Sequence, residues 1–144
     1  MSTGNVRATL QIQKSYGLAS TNYQIAANFS ATANGLIEQV GTIAPNGNVV
    51  IDLSAVLAKY RTIFLKNTTS TSGKVLQVGG GTTPVTGYTN AVTVGAGGIH
   101  INGCPLDGMV VTPSTACNLK LANPDGAVSV SYELMCFGDA LSMG

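Results

Sequence analysis

The chain has 144 residues, of which 44% are apolar and only 9% charged, and seven basic against six acidic residues give a formal net charge of +1. That length fits one domain able to bury about 70% of its unfolded surface without staples. The charges stand singly, so no basic patch is available to displace counterions from a nucleic acid, and no apolar run approaches the ~20 residues of a membrane-spanning helix.

Typical soluble domains carry about 25% charged residues. A surface this poor in charge is either solvated by Ser, Thr, Asn and Gln or covered by other subunits.

At the start, "MSTGNVRATL" lacks the basic-then-apolar order of a secretory signal, so the expected place of synthesis is a cytoplasm. "ATLQIQK" sets Leu10 and Ile12 on one side, and "NYQIAANF" does the same with Tyr23, Ile25, Ala27 and Phe29. Strand side chains alternate between two faces, so such runs predict sheets buried on one side. The turn "PNGN" (Pro45 to Asn48) predicts a hairpin with Gly47 left-handed, placing Ile43 beside Val49, Gly41 beside Ile51 and Gln39 beside Leu53. In "DLSAVLAKY", Ser54 reads as the N-cap of one short helix with Val56, Leu57 and Tyr60 at helical spacing. The strand "RTIFLKN" follows.

Near the other end, "NPDG" (Asn123 to Gly126) is a turn in which Pro124 presets φ and Gly126 tolerates a positive one. Pairing Ala122 with Ala127 sets Cys117, Leu119 and Leu121 opposite Tyr132, Val130 and Val128. In that register Cys136 lies about 13 Å beyond the partner of Cys117, outside the roughly 7 Å reach of a disulfide. Eleven strands are expected, near residues 7–13, 22–30, 36–43, 48–53, 61–67, 74–79, 91–95, 98–102, 108–112, 116–122 and 127–137. Many short strands with Gly- and Pro-rich turns predict one all-β antiparallel sandwich or barrel over residues 1–144.

Reactive chemistry is sparse. The single histidine, His100 in "GGIHING", faces opposite to Ile99 and Ile101 if it lies in a strand, and reads as a structural or surface group. Cys104, Cys117, Cys136 and His100 lack CxxC or HxxxH spacing, so no metal is expected. Asp125 belongs to its turn, Asp52 to a helix start and Glu133 to a polar strand face. "VGGGTT" and "VGAGG" lack the lysine-bearing helix of a phosphate loop. No enzyme activity and no cofactor are predicted. A glycan-binding module would stack sugars on exposed rings, and the chain has no tryptophan; Tyr16, Tyr60 and Tyr88 are the tyrosines that could serve.

One resemblance spans residues 36–138. The order "NGNVVIDLSAVLAKYRTIFLKNTTSTSGKVLQVGG", then "VGAGGIHING", then "PLDGMVVTPSTACNLKLANPDGAVSVSYELMCFG" resembles small jelly-roll-like β-sandwich virion structural proteins of tailed bacteriophages. Those proteins place a "DLS" turn before a strand "IxIKN", and a later strand ends in "VGG". Here the matching residues are Asp52 to Ser54, Ile63 to Asn67 (with Leu65 in place of isoleucine) and Val75 to Gly80. The resemblance implies a head decoration, or cement, protein on the capsid surface. Its partners would be the major capsid protein and copies of itself, with a trimer favoured. A tail, neck or fibre component and a non-catalytic glycan- or surface-binding module are the alternatives. Candidate subunit contacts are Tyr16, Phe64, Tyr88 and Phe137, with Met135 assigned instead to a second packed layer. Residues 14–35 and 138–144 fall outside the pattern and are the candidate arms.

Overall fold

The computed structural model describes residues 4–14, 23–104 and 107–141, the first two strands as backbone. Eleven strands are present among them: β1 (Gly4–Lys14), β2 (Tyr23–Ala33), β3 (Gly35–Ile43), β4 (Asn48–Asp52), β5 (Leu57–Asn67), β6 (Val75–Val78), β7 (Val92–Gly95), β8 (Ile99–Gly103), β9 (Met109–Val110), β10 (Asn118–Ala122) and β11 (Val130–Ala140). Two antiparallel sheets pack against each other, one in the order β4-β10-β6-β7 and the other β3-β11-β5-β8, with β9 beside β5. Leaving out β1, β2 and β9, this alternation of four and four strands is that of a jelly roll, in which two facing sheets share one core. The expected all-β antiparallel sandwich is the fold found. β1 and β2 join neither sheet; they pair with each other, and the sandwich starts at Gly35.

The inward residues are those the alternation selects. Leu53, Ile63, Leu65, Leu76, Leu119, Leu121, Val130 and Cys136 are among those buried in one cluster. Fully burying a side chain of this size stabilises by about 1.5–3 kcal/mol. Polar or half-buried residues lie between them along β5, β10 and β11.

Both predicted hairpins are corners instead. β3 pairs with β11 and β4 with β10, so the chain at residues 44–47 passes from one sheet to the other. The chain at 123–129 does the same in reverse, because β10 pairs with β4 and β6 while β11 pairs with β3 and β5. Alternation dictates which face turns inward, and a hairpin and an inter-sheet corner satisfy it equally. The choice between them rests on ladders to strands far away in sequence. Thus Leu121 pairs with Val49 and Val78 rather than with Val128, and Val130 pairs with Ile43. The left-handed residue of the first corner is Asn46, at φ 58°, not Gly47. Gly126 of the second corner is likewise not among the residues of positive φ.

The register used to separate Cys117 from Cys136 is therefore not formed, yet all three cysteines are free thiols. Burial pushes the Cys136 thiol up to about 12, which leaves it inert at neutral pH.

The two corners are locked together. Asn123, 1% exposed, donates from Nδ2 to the carbonyls of Ile43 (3.1 Å), Ala44 (3.2 Å) and Val128 (2.8 Å). The Asn46 N–H donates to the Asp125 carbonyl at 2.8 Å. The Asp125 carboxylate accepts from the N–H groups of Ala127 and Val128 and pairs with the Lys74 ammonium at 2.6 Å. The bond from Lys74, then those two N–H groups, holds that carboxyl at about 2.

The predicted helix is a single 3₁₀ turn, Leu53–Ala55, and its cap is Asp52 rather than Ser54: the Ser54 N–H donates to the Asp52 carboxylate at 2.9 Å. Residues expected to extend the helix are drawn into β5, where Lys59 and Tyr60 pair with Val110 and Met109 on one side and with Asp139 and Gly138 on the other. Two breaks in the β5–β11 register, at Phe137/Gly138 and at Asp139/Ala140, mark bulges that bend this end of the sheet. Arg61 spans the bent region with a two-pronged ion pair to Asp139, at 2.8 and 3.0 Å. β11 runs on to Ala140, so Gly138 to Ala140, placed in a candidate arm, are strand. Residues 142–144 lie outside the described residues.

Candidate functional site

The only histidine lies half-buried beside two buried tyrosines. β8 pairs His100 with Leu65 of β5 and turns it inward, while Ile99 and Ile101 stay exposed. Its Nε2 is 2.9 Å from the Tyr88 hydroxyl. The Tyr60 hydroxyl donates to the Thr86 carbonyl at 2.6 Å and accepts from Asn102 Nδ2 at 3.3 Å. The rings of Tyr60, Tyr88 and His100 meet edge to face, with centroids 6.3 and 5.7 Å apart. Burial pushes the Tyr60 phenol up to about 12 and Tyr88 higher still, so neither is a proton donor poised for work near neutrality. Among the described residues no carboxylate orients the imidazole, and no three of His, Cys, Asp and Glu come close enough to hold a metal ion. The cluster packs one edge of the sandwich.

His100 does make stability depend on pH. Burial lowers its pKa from 6.5, so the folded chain favours the neutral ring while the unfolded chain takes up a proton below about 6.5. The stabilisation is present above that value and is lost as pH falls through the lowered folded pKa. Urea midpoints of the native chain are expected to fall between about pH 7 and about pH 5, and His100→Gln should flatten that part of the profile.

A cleft of about 440 Å³ opens at the loop end of the sandwich, between Thr69–Val75 and Gly95–Gly97. Its one charged group, Lys74, is already engaged by Asp125.

The surface with the most unusual chemistry is the outer face of the five-stranded sheet. The ladders fix three rows across it: Val40, Glu133, Lys66 and Ile99; then Glu38, Met135, Phe64 and Ile101; then Leu36, Phe137, Thr62 and Gly103. Val40 is 77% exposed, Ile99 57% and Leu36 47%, and Ile101 is also open to solvent. The exposed groups form two pairs on the edge strands β3 and β8, bridged in the middle row by half-buried Met135 and Phe64 and interrupted by Glu38, Glu133 and Lys66; a mixed apolar face of this kind is a candidate contact surface.

The predicted contact residues divide. Phe64, half-buried beside Met135, lies on this face. Phe137 shares the face but is only 4% exposed and lies outside the main core cluster. Tyr88 is 1% exposed and bonded to His100, so it offers no ring to a partner. Tyr16 lies outside the described residues. Of the exposed members Leu36, Val40, Ile99 and Ile101, the last two carried a signal in the sequence: an inward His100 requires outward isoleucines on both sides of it.

No family model matches the sequence, and no curated protein matches it either.

Proposed function

We propose that the chain is a non-catalytic structural subunit of a tailed-phage virion, acting as a head decoration protein that braces joints between major capsid subunits. The observation that carries this reading is a jelly roll whose outer sheet face leaves Leu36, Val40, Ile99 and Ile101 uncovered. Jelly rolls recur in capsid proteins, and also in lectins and cupins. A cupin reading needs clustered metal ligands, and none comes together among the described residues. A lectin reading draws support from exposed rings, but Tyr60, Tyr88 and Tyr132 are all buried. Bracing a shell needs total contact area over many copies, not one reactive site.

The test uses virions of the phage that encodes this chain, with heads separated from tails before mass spectrometry. Many copies per head are expected, together with restored heat resistance when the purified protein is added to expanded shells lacking it. Recovery in the tail fraction would assign it to a tail, neck or fibre. Absence from particles would end the proposal.

A further inference from the structure

Three asparagines stand directly before a glycine: Asn34, Asn46 and Asn102. At such a step a chain can attack itself, because glycine has no Cβ to shield its own amide nitrogen. That nitrogen, after losing its proton to solvent, bonds to the asparagine Cγ, and the side-chain nitrogen leaves as ammonia. Water then opens the resulting succinimide at either carbonyl. One product is aspartate; the other is isoaspartate, in which the main chain runs through the side chain. The reaction needs a side chain free to swing and an amide free to turn toward it.

The fold treats the three steps differently. Asn102 lies half-buried in β8, where its Nδ2 donates to the Tyr60 hydroxyl at 3.3 Å and Gly103 pairs with Thr62 of β5. Asn34 accepts the Ala140 N–H on Oδ1 at 2.8 Å, and Gly35 begins β3 as a buried residue opposite Gly138. Asn46 is exposed at the corner between the sheets, at φ 58°. Among the described residues no group holds its side-chain amide. The Gly47 N–H makes a turn bond to the Ala44 carbonyl, at 2.9 Å. A single bond at an exposed turn opens at far less cost than a strand inside a ladder.

The geometry points to Asn46 as a site of spontaneous modification, which converts to aspartate and isoaspartate well ahead of Asn34 and Asn102. The consequence falls on the lock between the corners. The Asn46 N–H donates to the Asp125 carbonyl at 2.8 Å, and the Gly47 carbonyl accepts the Asn123 N–H at 3.0 Å. An isoaspartate adds one carbon to the main chain between those two groups, so the two bonds cannot both keep their present geometry. Either product also brings a new carboxylate to a corner that already holds Asp125. Ageing therefore loosens the tie between the two sheets. The inference concerns the chain's own chemistry and does not rest on the virion assignment.

Peptide mapping by mass spectrometry tests it on the full chain, aged at mildly alkaline pH either folded or unfolded in urea. Unfolded, the three steps should convert at similar rates. Folded, Asn46 should convert several-fold faster than Asn34 or Asn102, with isoaspartate present among its products. The urea midpoint of the folded chain should fall in step with that conversion. Asn46→Gly suits the left-handed position and has no side chain to react, so its midpoint should hold over the same period. Asn34 or Asn102 converting as fast as Asn46 in the folded chain would overturn the inference. So would an Asn46 that stays an amide while the unfolded chain reacts, or an Asn46→Gly variant that declines as the native chain does.

Discussion

Asn123→Asp should be among the most damaging single changes the protein can suffer, costing about 3–5 kcal/mol at neutral pH. The amide nitrogen of Asn123 feeds three carbonyls, those of Ile43, Ala44 and Val128, and so ties both inter-sheet corners together. A carboxylate there turns three attractions into three repulsions at a site only 1% exposed. Since small domains hold about 5–15 kcal/mol in total, the variant sits near the edge of folding. Asn123→Ala removes the donor without adding charge and should cost less, about 2–3 kcal/mol.

A signature in pH separates the two variants. The carboxyl introduced by Asn123→Asp would have its folded pKa raised above the unfolded value near 3.9. Its protonated form restores one donor, so the stability it contributes is present below that unfolded value and is lost as pH rises through the folded one. The aspartate variant should therefore gain relative to the alanine variant on acidification, read from urea midpoints across pH.

Gly138→Ala is the second large effect expected, at about 4 kcal/mol. Gly138 lies in β11 at the first break in its register with β5, opposite Gly35 of β3. A Cβ there would strike the Lys59 carbonyl oxygen and come within 2.7 Å of the Tyr60 Cα. Both obstacles are backbone, and β5 is held from its far side by β9, so neither can step aside as a side chain would. Gly95→Ala is the matched control: a Cβ there meets nothing within 4 Å, and the change should stay within about 0.5 kcal/mol. Thermal melts of the two variants beside the native chain decide it. Equal melting temperatures would show that β5 yields where the packing says it cannot.

These two residues mark how far the sequence could be read. Alternation and turn signals placed strands where the eleven are found, and alternation gave the inward face of β11, Val130, Tyr132, Leu134 and Cys136, because period two is a local property of each stretch. Pairing was not legible: "PNGN" and "NPDG" announce a change of direction, but the partners of Leu121 and Val130 lie 43 to 87 residues away along the chain. Asn123 looked like the first residue of a turn, and nothing near it in the chain names Ile43 as its acceptor. Gly138 looked like the beginning of a tail. Its true constraint, the Lys59 backbone, appears only once β5 and β11 are side by side. The outer face was half legible: Phe64 followed from the alternation, while Ile99 and Ile101 were overlooked in favour of the histidine between them.

β11 lies between β3 and β5 and comes after both of them, and after every other described strand, in the chain. A growing polypeptide leaving the ribosome thus has β3 and β5 finished long before the piece that joins them exists. Until Val130 and its successors emerge, the larger sheet is two unconnected edges, and contacts made between such distant stretches form slowly. Unpaired edges waiting that long are open to other chains. The assembly of this molecule is therefore governed by the arrival of one late eleven-residue strand, and a nascent chain stalled before it is the species a chaperone would meet.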